Sequence, residues 1–510
     1  MPVTCLIKTQ KTTDTFHYPE MKINSIIIIA ILLLMNCKED EVPPLEPQVP
    51  RMLTNPISSL TVFSVYVSGK VIDSLGSNII EQGIVIDTIP GPTKLKFLNK
   101  YVLKKNANGE FGVTITGLLP AKKFYVKAYA EISSGTGYGD EISFTSRSEK
   151  IYYGEVILTT QQEVIDFGEK SYTTIDDDLI ITGSVQNLSP LNRLTIVKGS
   201  VEIIATTGLT NFSGLEALEI IGGGLRIENN SALTDFAGLS QLAEVYRNFL
   251  ILNNDNLVSL AGLNNLEIIN MLGEFRVQGC DKLQNLDGLE KLKYIAGNLV
   301  LIDNLLLENI HGLKNLLKIF DRLYVINNPV LKDLNGLEKV IKVDDGIYIE
   351  NNSSLNSINA LGNLTTGGFY GFGGIQLNGN NKLDSLPHFK NMTALDYLIL
   401  KDNSLKNING LSNLKSVRYG LTIENNVNLI DLKGLEQLEV SGNLKIIGNS
   451  LLTDLKGLKG LKKATINMAI MSNENLTGLS GLENLKTTEG WISIAGNIKL
   501  TDFCPLKPLL

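Results

Sequence analysis

The chain has 510 residues and a net charge of −7 at pH 7, from 46 Lys and Arg against 53 Asp and Glu. That length accommodates two or three domains, and charges of both signs dispersed along it leave no basic patch for a nucleic-acid partner. Three histidines and four cysteines, with no CxxC, zinc-ligand pair or phosphate-binding loop, argue against a metal, a disulfide framework or a catalytic histidine and imply no cofactor.

Residues 1–36 read as a leader. Met21-Lys22 precedes a run of apolar residues from Ile26 to Met35, too short to span a bilayer but long enough for a signal-peptide core. Residues 1–20 are then an upstream extension, with Met21 as the functional start. Leu34-Met35-Asn36-Cys37 resembles a bacterial lipoprotein box. The resemblance implies that Cys37 becomes the lipidated first residue of the mature protein. Asn36 departs from the pattern, because a smaller residue normally precedes the cysteine; an ordinary cleaved signal peptide is the alternative. Lys38, Glu39, Asp40 and Glu41 resemble the export signal that sends some gram-negative lipoproteins to the outer leaflet of the outer membrane. The alternative is a periplasm-facing anchor. Residues 37–51 form a lipidated acidic linker, stiffened by Pro43, Pro44, Pro47 and Pro50.

Residues 52–148 carry alternating apolar runs (Leu60 to Val71, Ile79 to Ile86, Phe111 to Ile115, Phe124 to Tyr129, Ile142 to Phe144) between Gly, Asn and Pro turns. This pattern predicts a small antiparallel β-sandwich. The segment from Gly117 to Ser146 resembles the end of a fibronectin type III domain, with Phe124 at the corner where that family has a tyrosine. The resemblance implies a spacer module.

Residues 151–178 read as an N-terminal cap. Thr160-Gln161-Gln162-Glu163 is a capping-box pattern ahead of Val164, Ile165 and Phe167, which predicts a short helix over 161–167 lying on the first coil.

From Leu179 to the C-terminus the chain repeats with a period of 24 residues. LRIENNSALTDFAGLSQLAEV (Leu225 to Val245) and LTIENNVNLIDLKGLEQLEV (Leu421 to Val440) are two nearly superimposable units. Equivalent positions fall at Pro190, Gly214, Gly238, Gly262, Gly288, Gly312, Gly336, Ala360, His388, Gly410, Gly434, Gly457, Gly481 and Pro505, with one long spacing of 28 and one of 26. Fixed-period repetition predicts a parallel β-solenoid in which each unit is one coil and buries its apolar face on its neighbours. At ~4.8 Å per coil the rod is on the order of 60 Å long. Leu225 and Ile227 point inward and Arg226 and Glu228 outward on a short strand. Asn229 and Asn230 turn the chain, Gly238 supplies a tight bend, and a second short strand follows near Val245. Asn253, Asn304, Asn327, Asn351, Asn380, Asn403, Asn425, Asn449, Asn473 and Asn497 share the turn and predict a stacked amide ladder. Cys280 and Cys504, nine coils apart, are too distant to bridge and read as buried thiols. Pro505 and Pro508 end strand pairing.

The combination LxIxNN then LxxLxGLxxLxxI resembles the receptor L domain, the right-handed leucine-rich solenoid of the epidermal growth factor and insulin receptors, over roughly 151–510. The resemblance implies a mainly β fold, extracellular partner binding and no catalysis. The matching positions are structural, so no ligand-contact residue carries over.

Candidate partner-binding residues are therefore sought on the outward strand positions. Leu250, Leu252, Val300, Ile302, Tyr324, Ile326 and Tyr348 form an apolar run expected side by side on consecutive coils. Phe369, Tyr370 and Phe372 sit in a glycine-rich insertion within the 28-residue spacing; they either contact a sugar or protein or fold back over an apolar gap. Met271 and Leu272 form a smaller protrusion. The expected function is a lipid-anchored outer-membrane protein exposed at the cell surface, binding an extracellular protein or glycan without catalysis. The alternatives are a polysaccharide-active parallel β-helix enzyme and a purely structural surface component. An enzyme needs converging carboxylates; the sequence offers only Asp344-Asp345, Asp176 to Asp178 and scattered outward charges (Arg226, Glu228, Arg276, Glu350, Lys401, Glu424, Lys445).

Overall fold

The computed structural model describes residues 48–104, 109–365 and 373–509. Cys37 and the acidic stretch Lys38, Glu39, Asp40 and Glu41 lie outside the described residues, as do Phe369, Tyr370 and Phe372. The chain is mainly β, with antiparallel sheets followed by a parallel solenoid of about 14 turns of ~24 residues.

The N-terminal module begins with β1 (Arg51–Thr54), β2 (Val65–Asp73), β3 (Glu81–Asp87) and β4 (Asn99–Val102). It continues with β5 (Glu110–Ile115), β6 (Lys123–Ile132), β7 (Gly135–Tyr138) and β8 (Ile142–Thr145). One sheet has the order β1-β2-β5; the other is β4-β3-β6-β7, with β8 also paired to β6. Inward residues of alternating strands meet between the sheets: Val65 and Val67 face Ile84, Ile86, Val126 and Ala128. Phe124, at the corner position, is buried and stacks on Phe144 at 5.7 Å between ring centroids. The apolar run from Leu60 does not become strand until Val65; residues 60–64 are a turn.

The solenoid starts inside the segment expected only to cap it. β9 (Ile151–Tyr152) is the first member of a nine-stranded parallel sheet, and β10 (Val156–Leu158) is the first member of a seventeen-stranded one. Between β10 and the next strands runs α1 (Gln161–Glu169), which has the full capping box between Thr160 and Glu163. Val164 on α1 is buried in the solenoid core, and Phe167 packs edge-on against Tyr152 at 5.5 Å. From Leu179 to Val343 each coil contributes a strand to the long sheet, a corner, a leucine-lined turn and a two-residue strand to the short sheet. Leu225–Glu228 and Glu244–Val245 are one such pair. Beyond Val343 the short sheet ends, and Ala394–Lys401, Ser416–Glu424 and Val440–Ile447 are single long strands of the long sheet.

The asparagine corner divides its labour between neighbouring residues. Asn229, Asn253, Asn327, Asn351 and Asn425 hold left-handed backbone, φ 51° to 55°, which an asparagine adopts at low cost. The residue after each is buried and builds the ladder. Asn254 Oδ1 accepts the backbone N–H of Asn230 one coil back (3.0 Å), and its Nδ2 donates to the Ile227 carbonyl (2.9 Å). The pattern recurs at Asn304, Asn328, Asn352, Asn380, Asn403, Asn426, Asn449, Asn473 and Asn497. Of the asparagines expected in the ladder, Asn253, Asn327, Asn351 and Asn425 are thus corrected to the turn position. Their two polar roles look identical in sequence because only stacking separates them. Cys280 takes one ladder position; it is buried, and desolvation pushes its thiol up to about 12, so it is an inert thiol. Cys504, expected to be buried, is exposed at the start of the 3-10 segment Cys504–Leu509. Prolines 505 and 508 lie within that segment, and Leu506 packs onto the core.

The anchor glycines are required by close coil contact. Gly238 has φ +105°, and a Cβ there would run into the Phe212 carbonyl of the previous coil. The core beside them is a column of Phe212, Phe236, Phe249 and Phe275, with successive centroids 5.1, 6.1 and 5.3 Å apart.

The two modules touch. Glu219, on the turn preceding the short-sheet strand Ile220–Ile221, is buried; its Oε1 accepts from Thr61 Oγ1 at 2.6 Å and from Ser64 Oγ. Burial raises the Glu219 pKa, and the two hydroxyl donors only partly oppose that shift.

Two outcomes follow from this packing. Asn352→Ala strands the Asn328 N–H and the Val325 carbonyl, and should cost roughly 2–4 kcal/mol in denaturant unfolding followed by circular dichroism. Asn351→Gly, one residue away, keeps the left-handed turn and should be within about 0.5 kcal/mol of wild type. The raised Glu219 pKa means that the packed state favours the neutral acid. Its contribution is present below the unfolded carboxylate value and is lost as pH rises through the raised folded value. Glu219→Gln, which cannot ionise, should therefore flatten the rise in thermal stability on acidification and stabilise the protein at neutral pH. Identical melting-temperature profiles from neutral pH down to the ordinary glutamate range would refute the assignment.

Candidate binding surface

The parallel register sorts the outward side chains of the long sheet into continuous rows. One row runs Glu202, Arg226, Leu250, Arg276, Val300, Tyr324, Tyr348, Gln376, Ile399, Thr422, Lys445. Its neighbour runs Ile204, Glu228, Leu252, Gln278, Ile302, Ile326, Glu350, Asn378, Lys401, Glu424, Ile447. All seven expected stripe residues occupy outward positions, as the period-2 alternation requires.

The stripe itself needs two corrections. It is not continuous, because Arg276 and Gln278 separate Leu250 and Leu252 from Val300 and Ile302. Nor is it uniformly open: Val300 has 0% exposure although it points outward, and the other six are half-buried. Val300 stands in register between Arg276 and Tyr324 on the adjoining coils.

What remains accessible is centred on tyrosines. Tyr324 and Tyr348 stack at 4.8 Å with 17° between ring planes. Arg322 holds the stack from one end: its Nη1 donates to the Tyr324 hydroxyl at 3.3 Å and its Nε to Asp345 Oδ2 at 2.7 Å. Desolvation, the largest influence, raises the Tyr348 pKa, so the ring carries a neutral hydroxyl. Beside the stack, Gly346 is buried and Gly374 half-buried; a Cβ would lie 3.2 Å from the Tyr348 ring at the first and 3.0 Å from Tyr397 at the second. Gln376 Nε2 donates to Glu350 Oε1 at 2.8 Å across adjacent coils.

The sequence reading missed Tyr397 and Tyr419. Both are exposed, with rings tilted at 5.3 Å, and Arg418 lies over Tyr419 at 5.0 Å. Tyr397 pairs in register with Gly420 and borders Gly374 on the other side. The signal was there in Gly374 and Gly420, one coil to either side of a tyrosine, but the altered 28 and 22 spacings hide that register. Met271 and Leu272 form the expected protrusion, 70% and 83% exposed on consecutive left-handed residues.

The charged residues considered for catalysis are mostly in ion pairs. Arg226 contacts Glu228 and lies 4.0 Å from Glu202. Arg276 binds Glu274 at 2.6 Å, and Lys401 binds Glu424 at 2.9 Å. Asp344 lies 3.1 Å from Lys318 and 2.8 Å from Lys342, while Asp345 pairs with Arg322. Asp176 pairs with Lys198 at 2.5 Å. His311 and His388 are exposed on separate turns. Among the described residues no group of three or more His, Cys, Asp or Glu side chains is placed to hold a metal ion, and no helix is long and apolar enough to cross a membrane. No protein-family model matches the chain, and no curated protein matches it.

Proposed function

We propose that this chain is a surface-anchored recognition protein: a lipoprotein held in the outer membrane through Cys37, with the sandwich as spacer and the solenoid as a non-catalytic binding rod. The observation that carries the reading is the group of Tyr324, Tyr348 and Tyr397 on the outward face of the long sheet, a tyrosine platform with Gly346 and Gly374 leaving room for the rings. Tyrosine supplies a rigid amphipathic contact, and its enrichment at binding sites follows from that. The resemblances to receptor L domains and fibronectin type III modules support the same division of labour. The partner is an extracellular protein or glycan. Cation pairing of the nearby carboxylates counts against general acid–base chemistry there, since a glycosidase needs one carboxyl neutral and another free.

The platform is tested by screening the mature chain on protein and glycan arrays and measuring affinity for any ligand retained. Tyr324→Ala with Tyr348→Ala should weaken that binding about tenfold or more, equivalent to ~1.4 kcal/mol. Unchanged affinity would discard the platform. The anchor is tested separately: metabolic labelling with a radioactive fatty acid should mark wild type and not Cys37→Ala, and label persisting in the variant would refute lipidation there.

A further inference from the structure

The sandwich and the solenoid enclose a cleft of about 1000 Å³, at the upper end of the size range of small-ligand sites. One wall is the outer face of the β1-β2-β5 sheet and the other is the short sheet near Ile220–Ile221 and Glu244–Val245. We infer that this cleft is a second binding site, distinct from the tyrosine platform, and that its ligand is a neutral oligosaccharide.

The walls are fixed relative to one another. Glu219 lines the cleft and is bonded across the module boundary to Thr61 and Ser64. A site held open this way loses little freedom when filled.

Each wall presents one partly exposed tyrosine, Tyr66 at 38% and Tyr246 at 37%. Tyr66 lies across Gly112 of β5, where any Cβ would collide with its ring and hydroxyl. The glycine is therefore what allows the ring to lie flat along the wall. Sugar rings offer an apolar C–H face to such aromatic surfaces and hydroxyls around the rim. Polar side chains stand on both walls: Gln241 comes from the solenoid, and Thr114 and Thr116 come from the sandwich.

Charge complementarity decides between ligand classes. The ionic groups of this wall are already engaged with protein partners. Glu267 pairs with Lys293 at 2.6 Å, Lys291 Nζ donates to Asn265 Oδ1 at 2.5 Å, and Glu244 bonds the Tyr246 hydroxyl. A strongly charged ligand finds no unbalanced field here, whereas a polyhydroxylated neutral one finds both donors and acceptors.

The test is saturation-transfer NMR on the mature chain with maltohexaose, cellohexaose and chitohexaose. At least one should receive magnetisation at about 1 mM and show a measurable Kd. Tyr246→Ala and Gly112→Ala should each weaken it about tenfold. The first removes an exposed ring, so it keeps the test valid even where the second disturbs β5. Tyr324→Ala with Tyr348→Ala should leave this binding unchanged, which separates the cleft from the platform. Three results overturn the inference: no transfer to any of the three glycans at about 10 mM, cleft variants that bind like wild type, or displacement of the glycan by an unstructured hexapeptide, which would make β5 a peptide-docking edge.

Discussion

From Asn230 to Asn497 each coil of the rod is tied to the one before it by an amide at the same corner, except where Cys280 takes that position. Asn254 illustrates the constraint, with its oxygen taking the Asn230 N–H and its nitrogen feeding the Ile227 carbonyl. In an apolar interior, a backbone group left without such a partner costs roughly 1–3 kcal/mol. The corner must therefore return to the same place on each turn, and the repeat length follows from that requirement. Where the chain takes 28 residues instead of 24, the ladder still closes, with Asn352 N–H bonded to Asn380 Oδ1 at 3.2 Å. Among the described residues, extra length appears at another corner, between the short-sheet strand and the following long-sheet strand, where Met271 and Leu272 emerge between Ile269 and Phe275.

Most of the solenoid was legible in the sequence because one physical demand is repeated many times. Inward leucines, the anchor glycine and the paired asparagines each recur at fixed spacing, and repetition turns a weak local preference into an assignment. The capping box at Thr160 was legible for a different reason: two side chains reciprocate at a spacing set by one helical turn. What stayed hidden had no period. Nothing in the residue type of Val300 says that it will be fully buried at an outward strand position. The two asparagines of each corner are chemically identical, and only the coil behind decides which one is buried. Nothing in the repeat marks Glu219, because its partners Thr61 and Ser64 come from a loop of the other module.

Division of labour between the two faces of each strand also explains why the platform can vary without endangering the fold. Residues such as Leu323 and Val325 are fully buried and specify the coil, while Tyr324 between them contributes to the outer surface. A solenoid distributes its stability over nearest-neighbour contacts, so an outward substitution on one coil perturbs little beyond the coils beside it. The same geometry engages much of the surface charge along the rows: Arg226 contacts Glu228, Arg276 contacts Glu274 and Lys401 contacts Glu424.

What the face offers instead is preorganisation. Tyr324 is held by the Tyr348 ring on one side and by Arg322 at its hydroxyl, and Arg322 is anchored in turn by Asp345. Each of these partners comes from the same coil or the next, fixed by parallel pairing of the underlying strands. Immobilising a free, rotamer-rich side chain on binding costs about 0.5–1.5 kcal/mol. A ring already stacked and tethered has met most of that cost during folding. The asparagine corner sets the spacing of the coils, the spacing brings the two tyrosines into contact, and their contact holds the aromatic surface that the proposed partner would meet in one arrangement.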